Sequence, residues 1–452
     1  MQKLISIVSA LFLLALTAHF FGLLSAHKNW KSYEFFKEGV LALEARKKLE
    51  RSTNPPDLIR AGRRQLPPNS KLFPKLASEG PPILVAGGIG TFKDLCGEPG
   101  CLAVLFNRHG VPIRKWPLKL KEYAEANALS EGQYAYAGSN ILNDITIGGI
   151  DRLPGDELLV TFVLRNSFPY SWGIARIAAD GSVVWRHRDH YHHWARTANN
   201  GNIYSPLHEI RVGEKYAEGL IDTRNYVVCR APGKQYADLI HVISPQGEIK
   251  KKIDLVKLFV QDPRFSTILS KTINKCDPLH LNYIDVAVSS DIGDATWLEE
   301  GDIMVSLRGL STVAIISADG TKIKRVISGS FVVQHSAHFS GNGKMTLFDN
   351  MGSSADSLAS RVLEIDLNSS VERVLFSRSS NDVDKAEYTA AAGSLALSRD
   401  GKRILAVYTQ SGRVVEIDVA TGERLSVFDH YHKWSTNKAP GLFKIYSALY
   451  WE

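Results

Sequence analysis

Most of this 452-residue chain carries no excess of either charge sign. The formal charge of +7 sits in residues 28–75, which hold 12 Lys/Arg against 5 Asp/Glu, and the remainder sums to zero. A protein that binds nucleic acid through its folded domain concentrates its basic excess there, so no nucleic-acid partner is expected. Cysteine is scarce, with four residues in all. That usage is consistent with an oxidising compartment, and four buried thiols are the alternative. Cys96 and Cys101 flank Gly-Glu-Pro-Gly, a turn signal that brings them close enough to bridge. Cys229 and Cys276 are the other candidate pair. The glycines of AGGIGTFK, residues 86–93, lack the GxxxxGK(S/T) spacing that cradles phosphates, so this segment reads as strand and turn. A disordered composition is absent too, at 44% hydrophobic and 22% charged residues.

One long apolar run is present, from Leu4 to Ala26, 23 residues without a charge. At about 1.5 Å per residue it spans the ~30 Å hydrocarbon core. A cleaved signal peptide has a shorter apolar region of roughly 7–15 residues and a small-x-small cleavage site. Leu24-Ser25-Ala26 matches that poorly, so residues 1–27 are read as a membrane anchor rather than a cleaved signal. Residues 28–52 read as an amphipathic helix, with Trp30, Phe35, Phe36, Val40, Leu41 and Leu43 near a 3.6-residue period. A Pro-containing linker follows, and together they fill residues 28–80 as a basic stalk beside anionic lipid. Lys3 lies on one side of the apolar run and Lys28, Lys31 and Lys37 on the other. Taken alone, the positive-inside rule then favours a cytoplasmic main domain.

From residue 81 to 452 the pattern changes to short β runs, and an internal repeat emerges. One element is an apolar strand, a small-residue turn and another strand. Its six copies begin at His109, Asp180, Gln246, Asp319, Asn368 and Thr421. A second turn-centred element precedes several of them: LPGDELLV at 153, NNGNIYSP at 199, EEGDIMVS at 299, GNGKMTLF at 341 and RDGKRILA at 400. Two hairpins per unit make four strands, which is a propeller blade, and six outer turns give an all-β, six-bladed β-propeller. The tail LFKIYSALYW, from Leu442, has strand character and would pair with the first blade, removing exposed edges. A β-sandwich or two separate domains is the structural alternative.

In a propeller, polar residues at the start of the innermost strands converge from different blades. His193 lies seven residues before Asn200 in one turn, and His335 seven before Asn342 in another. Equal offsets predict that both imidazoles enter one channel. His280 and Asn282 lie two apart on a strand, hence on one face. Arg308 stands in a strand, SLRGLSTVAII, that is otherwise apolar or small, and needs an anion or a partner carboxylate. Such a set binds a small, multiply oxygenated anion, since Arg supplies planar bidentate donors and a neutral His serves as nucleophile or base. No carboxylate is expected among these positions, which disfavours a metal-activated water. DHYHHW at 189–194 and DHYHKW at 429–434 invite a metal reading, but strand alternation would let only some imidazoles converge. No metal and no cofactor are therefore expected.

DPLHLN, SLRGLSTVAIIS and QHSAHFSGNGKMTLFDN resemble successive motifs of the bacterial arylsulfotransferases, and HHWARTANNGN resembles their earlier His-His motif. The resemblance covers roughly residues 130–430. It implies a six-bladed propeller that moves a sulfuryl group from one phenolic sulfate to another phenol, without the nucleotide donor PAPS, through a transient sulfohistidine. His335 then matches the nucleophile. His280, Asn282, Arg308 and His193, or its neighbour His192, match the sulfate-binding set, and Thr389 in YTAAAGS matches from the next blade. The family often has His-Asp where this sequence reads His193-Trp194 and His335-Ser336; the first departure bears on acceptor recognition, and both bear on whether the substrate is a simple aryl sulfate. The implied partners are an aryl sulfate donor, a phenolic acceptor and, through the N-terminal helix, a membrane. The implied location of the main domain is extracytoplasmic, which overrides the charge flanks. Two other functions compete: a membrane-tethered propeller that binds a ligand without turnover, and a metal-dependent hydrolase.

Overall fold

The computed structural model describes residues 79–123, 134–135, 145–164, 167–168, 170–212, 234–272, 277–350, 360–377, 387–389, 391–409, 412–429, 431–432, 441–442 and 445–452, together with Leu13 and Thr17. Six four-stranded antiparallel sheets stand in sequence order, each strand beside the next, forming the six-bladed propeller. Blade 1 holds Ile83–Ala86, Cys101–Phe106 and Pro112–Pro117. Blade 2 starts at Ile145–Leu153, blade 3 at Arg196–Thr197, blade 4 at Leu281–Val286, blade 5 at His335–Phe339 and blade 6 at Ser394–Leu397. The expected outer turns all join the third and fourth strands of a blade. Each needs a left-handed residue at its tip. Gly110, Gly181, Gly247, Gly320 and Gly422 supply it at φ between 62° and 93°, and Ser370 takes that place in blade 5 at φ 57°.

Burial grades outward from the axis. In blade 4 the first three strands are buried at every position, whereas Ile249–Asp254, the outermost strand of blade 3, exposes four of its six residues. The inner strands are packed on both faces by neighbouring blades, which is why they read as apolar runs rather than as alternations. The core accordingly lies between blades. Met304, Val313 and Ile315 of blade 4 meet Ala337, Met345 and Leu347 of blade 5, and each of these buried side chains larger than alanine contributes about 1.5–3 kcal/mol.

The ring closes as the tail predicts. Ala448–Tyr450 is the innermost strand of blade 1 and pairs antiparallel with Ile83–Ala86, in the register Ile83 to Tyr450 and Val85 to Ala448. Glu416 of blade 6 fastens this seam. Its carboxylate accepts from Arg108 Nη2 at 2.8 and 2.9 Å, from Ser426 Oγ at 2.7 Å and from Tyr450 Oη at 3.2 Å. Both charges of the Arg108–Glu416 pair are buried. Removing one partner of a buried pair leaves the other desolvated, so Glu416→Ala is expected to destabilise the propeller by about 3–5 kcal/mol in urea unfolding. A loss below about 1 kcal/mol, the range of a surface pair, would contradict this role for Glu416.

Cys96 and Cys101 form a disulfide. Cys229, Cys276, residues 28–78 of the stalk and all of the apolar run except Leu13 and Thr17 lie outside the described residues. Among the described residues no helix is long and apolar enough to cross a membrane.

Candidate active site

Blades 3 to 6 share a local irregularity that aims side chains into the channel. His193, His280, Ser336 and Ala392 all take left-handed backbone, at φ 48°, 50°, 50° and 60°, where each innermost strand begins. Val333, a β-branched residue for which such a conformation is a genuine outlier, stands at φ 52° just before His335. The pairing register shifts beside these residues, between Leu281 and Tyr283 and between His335 and His338. Strain of this kind costs about 1–3 kcal/mol per residue and persists where the surroundings impose it.

The outcome is convergence. The His193 ring lies 5.2 Å from that of His280 and 6.3 Å from that of His335, centroid to centroid. Asn282 is fully buried, donating through Nδ2 to the Gln334 carbonyl at 2.7 Å while its Oδ1 has no partner among the described residues. Arg308 sits just past its expected strand, in the short 3-10 turn Arg308–Leu310, and its backbone N–H donates to the His280 carbonyl at 3.1 Å. Its guanidinium forms no ion pair or hydrogen bond with any described residue. Burial lowers its proton affinity, and Asp277 opposes that effect without reaching contact. An Arg held this way is a vacant anion donor.

The tautomer of His335 follows from its neighbour Asn350. Asn350 Nδ2 donates to the carbonyls of Thr389, at 2.8 Å, and Ala392, at 2.7 Å. Its Oδ1 must then face the imidazole, 2.6 Å from His335 Nδ1. An amide oxygen only accepts, so Nδ1 carries the proton and Nε2 keeps its lone pair. Burial and the Arg308 guanidinium hold the imidazole well below the ordinary histidine range, so it remains neutral. The sequence reading did not single out Asn350, although it ends the motif QHSAHFSGNGKMTLFDN. Thr389 lies behind it, fully buried, with its hydroxyl donating to Ala391 at 2.8 Å.

His192 stands behind His193, with Nδ1 atoms 2.7 Å apart. It stacks on His208, which in turn stacks on Tyr236. Tyr170 places its ring 5.7 Å from His193 and 6.1 Å from His280. The expectation that no carboxylate joins the set is corrected here. Asp277, the first residue of DPLHLN, bonds His280 Nδ1 through Oδ2, and Asp238 lies 3.6 Å from His208 Nε2. His208, Asp238 and Tyr170 carried no signal, because strand pairing across blade 3 and a loop of blade 2 bring them in. The two departures from the family pattern point elsewhere. Trp194 is buried near Tyr283, and Ser336 Oγ accepts the Leu395 N–H at 2.9 Å.

The turn ends of the innermost strands surround a separate cavity of about 700 Å³, lined by Asp151, Arg196, Tyr283, Asp285 and His338 but by none of the three converging histidines. There Arg196 is matched by Asp285 at 3.1 Å and Asp151 at 3.6 Å, unlike Arg308.

Fold and site define a β-propeller with three imidazoles and an unmatched guanidinium in its channel. The chain matches the arylsulfotransferase (ASST) family over residues 152–426, more than half its length, and it belongs to that family. No curated protein sequence matches it. Among solved structures it is similar to a protein of unknown function from Bacteroides caccae, at 14% identity and TM-score 0.46 over 82% of this chain and 98% of that one. It is also similar to virginiamycin B lyase from Staphylococcus aureus, at 12% identity and TM-score 0.35 over 67% and 74% of the two chains. For the nidogen/laminin complex the figures are 10%, 0.43, 82% and 98%.

Proposed function

We propose that this protein transfers a sulfuryl group from a phenolic sulfate ester to a phenolic acceptor, without PAPS, through a sulfohistidine on His335. The observation that carries this reading is the Asn350 amide, whose orientation leaves the His335 Nε2 lone pair free beside an arginine with no carboxylate partner among the described residues. His335 Nε2 attacks sulfur in line, forming the N–S bond as the ester S–O bond breaks, and the phenolate departs with the bonding pair and takes up a proton. Arg308 stabilises the charge growing on the sulfuryl oxygens, and Asn282 and His280 bound the space that the group occupies. His335 Nδ1–H stays on Asn350 throughout. An acceptor phenol then gives its proton to His193 and attacks sulfur, the N–S bond breaks to regenerate His335, and His193 returns the proton to solvent, balancing the one that the departing phenolate took from solvent. Thr389 acts through Asn350, whose amide its carbonyl anchors, and His192 acts through His193.

The assay uses the full chain, a chromogenic aryl sulfate, a phenol acceptor and no nucleotide. Acceptor-dependent release of phenol supports transfer. A folded protein that releases none from a panel of donors would instead be the binding module.

Asn350→Leu is expected to lower turnover about 10²-fold, the cost of misplacing a reacting group. Its specific mark is the His335 tautomer in ¹⁵N NMR, which Asn350→Asp preserves because a carboxyl oxygen still accepts from Nδ1–H. An unchanged tautomer in Asn350→Leu would refute the role.

We further propose that the apolar run anchors the chain with its propeller on the extracytoplasmic side. Support comes from the 23-residue charge-free segment and from the Cys96–Cys101 disulfide, a bond that persists in oxidising compartments. Carbonate extraction of membranes should leave the chain in the pellet; recovery in the wash would rule the anchor out.

A further inference from the structure

Behind the converging histidines lies a second group of side chains, of which the transfer reaction uses only His192, through its contact with His193. His208 and Asp238 are paired directly across the second and third strands of blade 3, and His192 enters from the loop that leads into that blade. All three are at most 1% exposed. Both ring nitrogens of His208 and Nε2 of His192 have no hydrogen-bond partner among the described residues, and the Asp238 carboxylate is approached only by the backbone N–H groups of His280 and Leu281, outside good hydrogen-bond geometry. Asp277 Oδ1, fully enclosed beside them, has no hydrogen-bond partner among the described residues either. Buried polar groups are ordinarily satisfied, and a buried carboxylate without a partner is among the costliest exceptions. A single cation would meet lone pairs from all four of these groups at once.

The spacing indicates what that partner is. His192 Nε2 and His208 Nε2 each lie 3.6 Å from the same oxygen, Oδ1 of Asp238, and His208 Nε2 lies 3.8 Å from Asp277 Oδ1. These separations exceed hydrogen bonds. They approach the roughly 3.3–3.4 Å edge of a tetrahedron whose N and O ligands sit about 2.0–2.1 Å from zinc. One donor atom each from His192, His208 and Asp238 falls within 4.8 Å of the other two. His192 and His208 are stacked at 3.7 Å, so a ring must tilt before both lone pairs meet on one centre. His192 is held through Nδ1 by His193, and the tilt falls on His208.

We propose that His192, His208 and Asp238, with Asp277 as the fourth donor, form a binding site for a divalent first-row transition ion. Imidazole with carboxylate suits zinc and its neighbours rather than calcium or magnesium. The ion would tie blade 3 to the loops that present His193 and His280, since Asp277 holds the His280 ring through its other oxygen. It would thus serve as scaffold behind the transfer site. The assignment stands independently of the transfer reaction.

The test is elemental analysis of the full-length chain purified without chelator, followed by removal of metal and titration with Zn²⁺. Wild type is expected to carry stoichiometric metal, to melt at lower temperature after chelation, and to recover on adding Zn²⁺. Asp238→Asn and His208→Ala are expected to lose the ion. Should either variant fail to fold, the spectrum of the Co²⁺-loaded wild type decides, with ligand-field bands of a nitrogen–oxygen site expected and sulfur charge transfer excluded. Wild type that neither carries metal nor responds to Zn²⁺, or metal retained by both variants, would overturn the proposal.

Discussion

Alanine at His335 is expected to abolish acceptor-dependent release of phenol, by about 10⁴-fold or more in kcat, with the fold intact. The size follows from the role: without Nε2 there is no covalent intermediate, and loss of a nucleophile costs more than loss of any group that supports it. The fold should survive because His335 contributes a hydrogen bond to Asn350 rather than an apolar contact to the inter-blade core. Asn350 keeps both of its other bonds in the variant, so the pocket has no reason to collapse. Melting temperature and donor binding, measured beside turnover, separate lost chemistry from lost structure. If His335→Ala still transfers at more than a hundredth of the wild-type rate, the nucleophile is another residue.

Arg308→Ala is expected to lower kcat/KM by about 10²–10³-fold, the range for removing one donor that stabilises charge developing in a transition state. Arg308 is suited to this because its charge is not already spent. Arg361 is bound to Asp349 at 2.6 Å and Arg108 to Glu416 at 2.8 Å, and both are structural ties between strands or blades. The Arg308 guanidinium has no such partner among the described residues. Arg308→Lys should restore only part of the loss, because an ammonium cannot offer the planar pair of donors that fits two sulfuryl oxygens. Full activity in Arg308→Lys would show that point charge, not geometry, is what the site requires.

How much of this could be read from the sequence depended on the range of the interactions. Turns are local, and each left-handed glycine marks its own position, so the blade count and the closing strand were legible. The offset of His193 and His335 from equivalent turns was enough to bring them together, because repeated blades place equivalent residues around one axis. Arg308 was placed on a strand and lies in the turn after it, since a single polar residue in an apolar run does not reveal where a strand ends. Asp238 and His208 could not be found at all. They sit on different strands about 30 residues apart, and only the cross-strand register of blade 3 sets them face to face. Asn350 was written in a motif that was recognised, yet its task depends on which way an amide is turned, which only the carbonyls of Thr389 and Ala392 reveal.

The central claim is that His335 carries the sulfuryl group between donor and acceptor. Its most direct test is a rapid quench of the full chain with an aryl sulfate and no acceptor, under alkaline conditions, followed by peptide mass mapping. The account predicts one added SO₃ on the peptide containing His335, discharged when phenol is added before the quench and missing from His335→Ala. An adduct on another residue, or transfer at full rate with no adduct at any time, would contradict it.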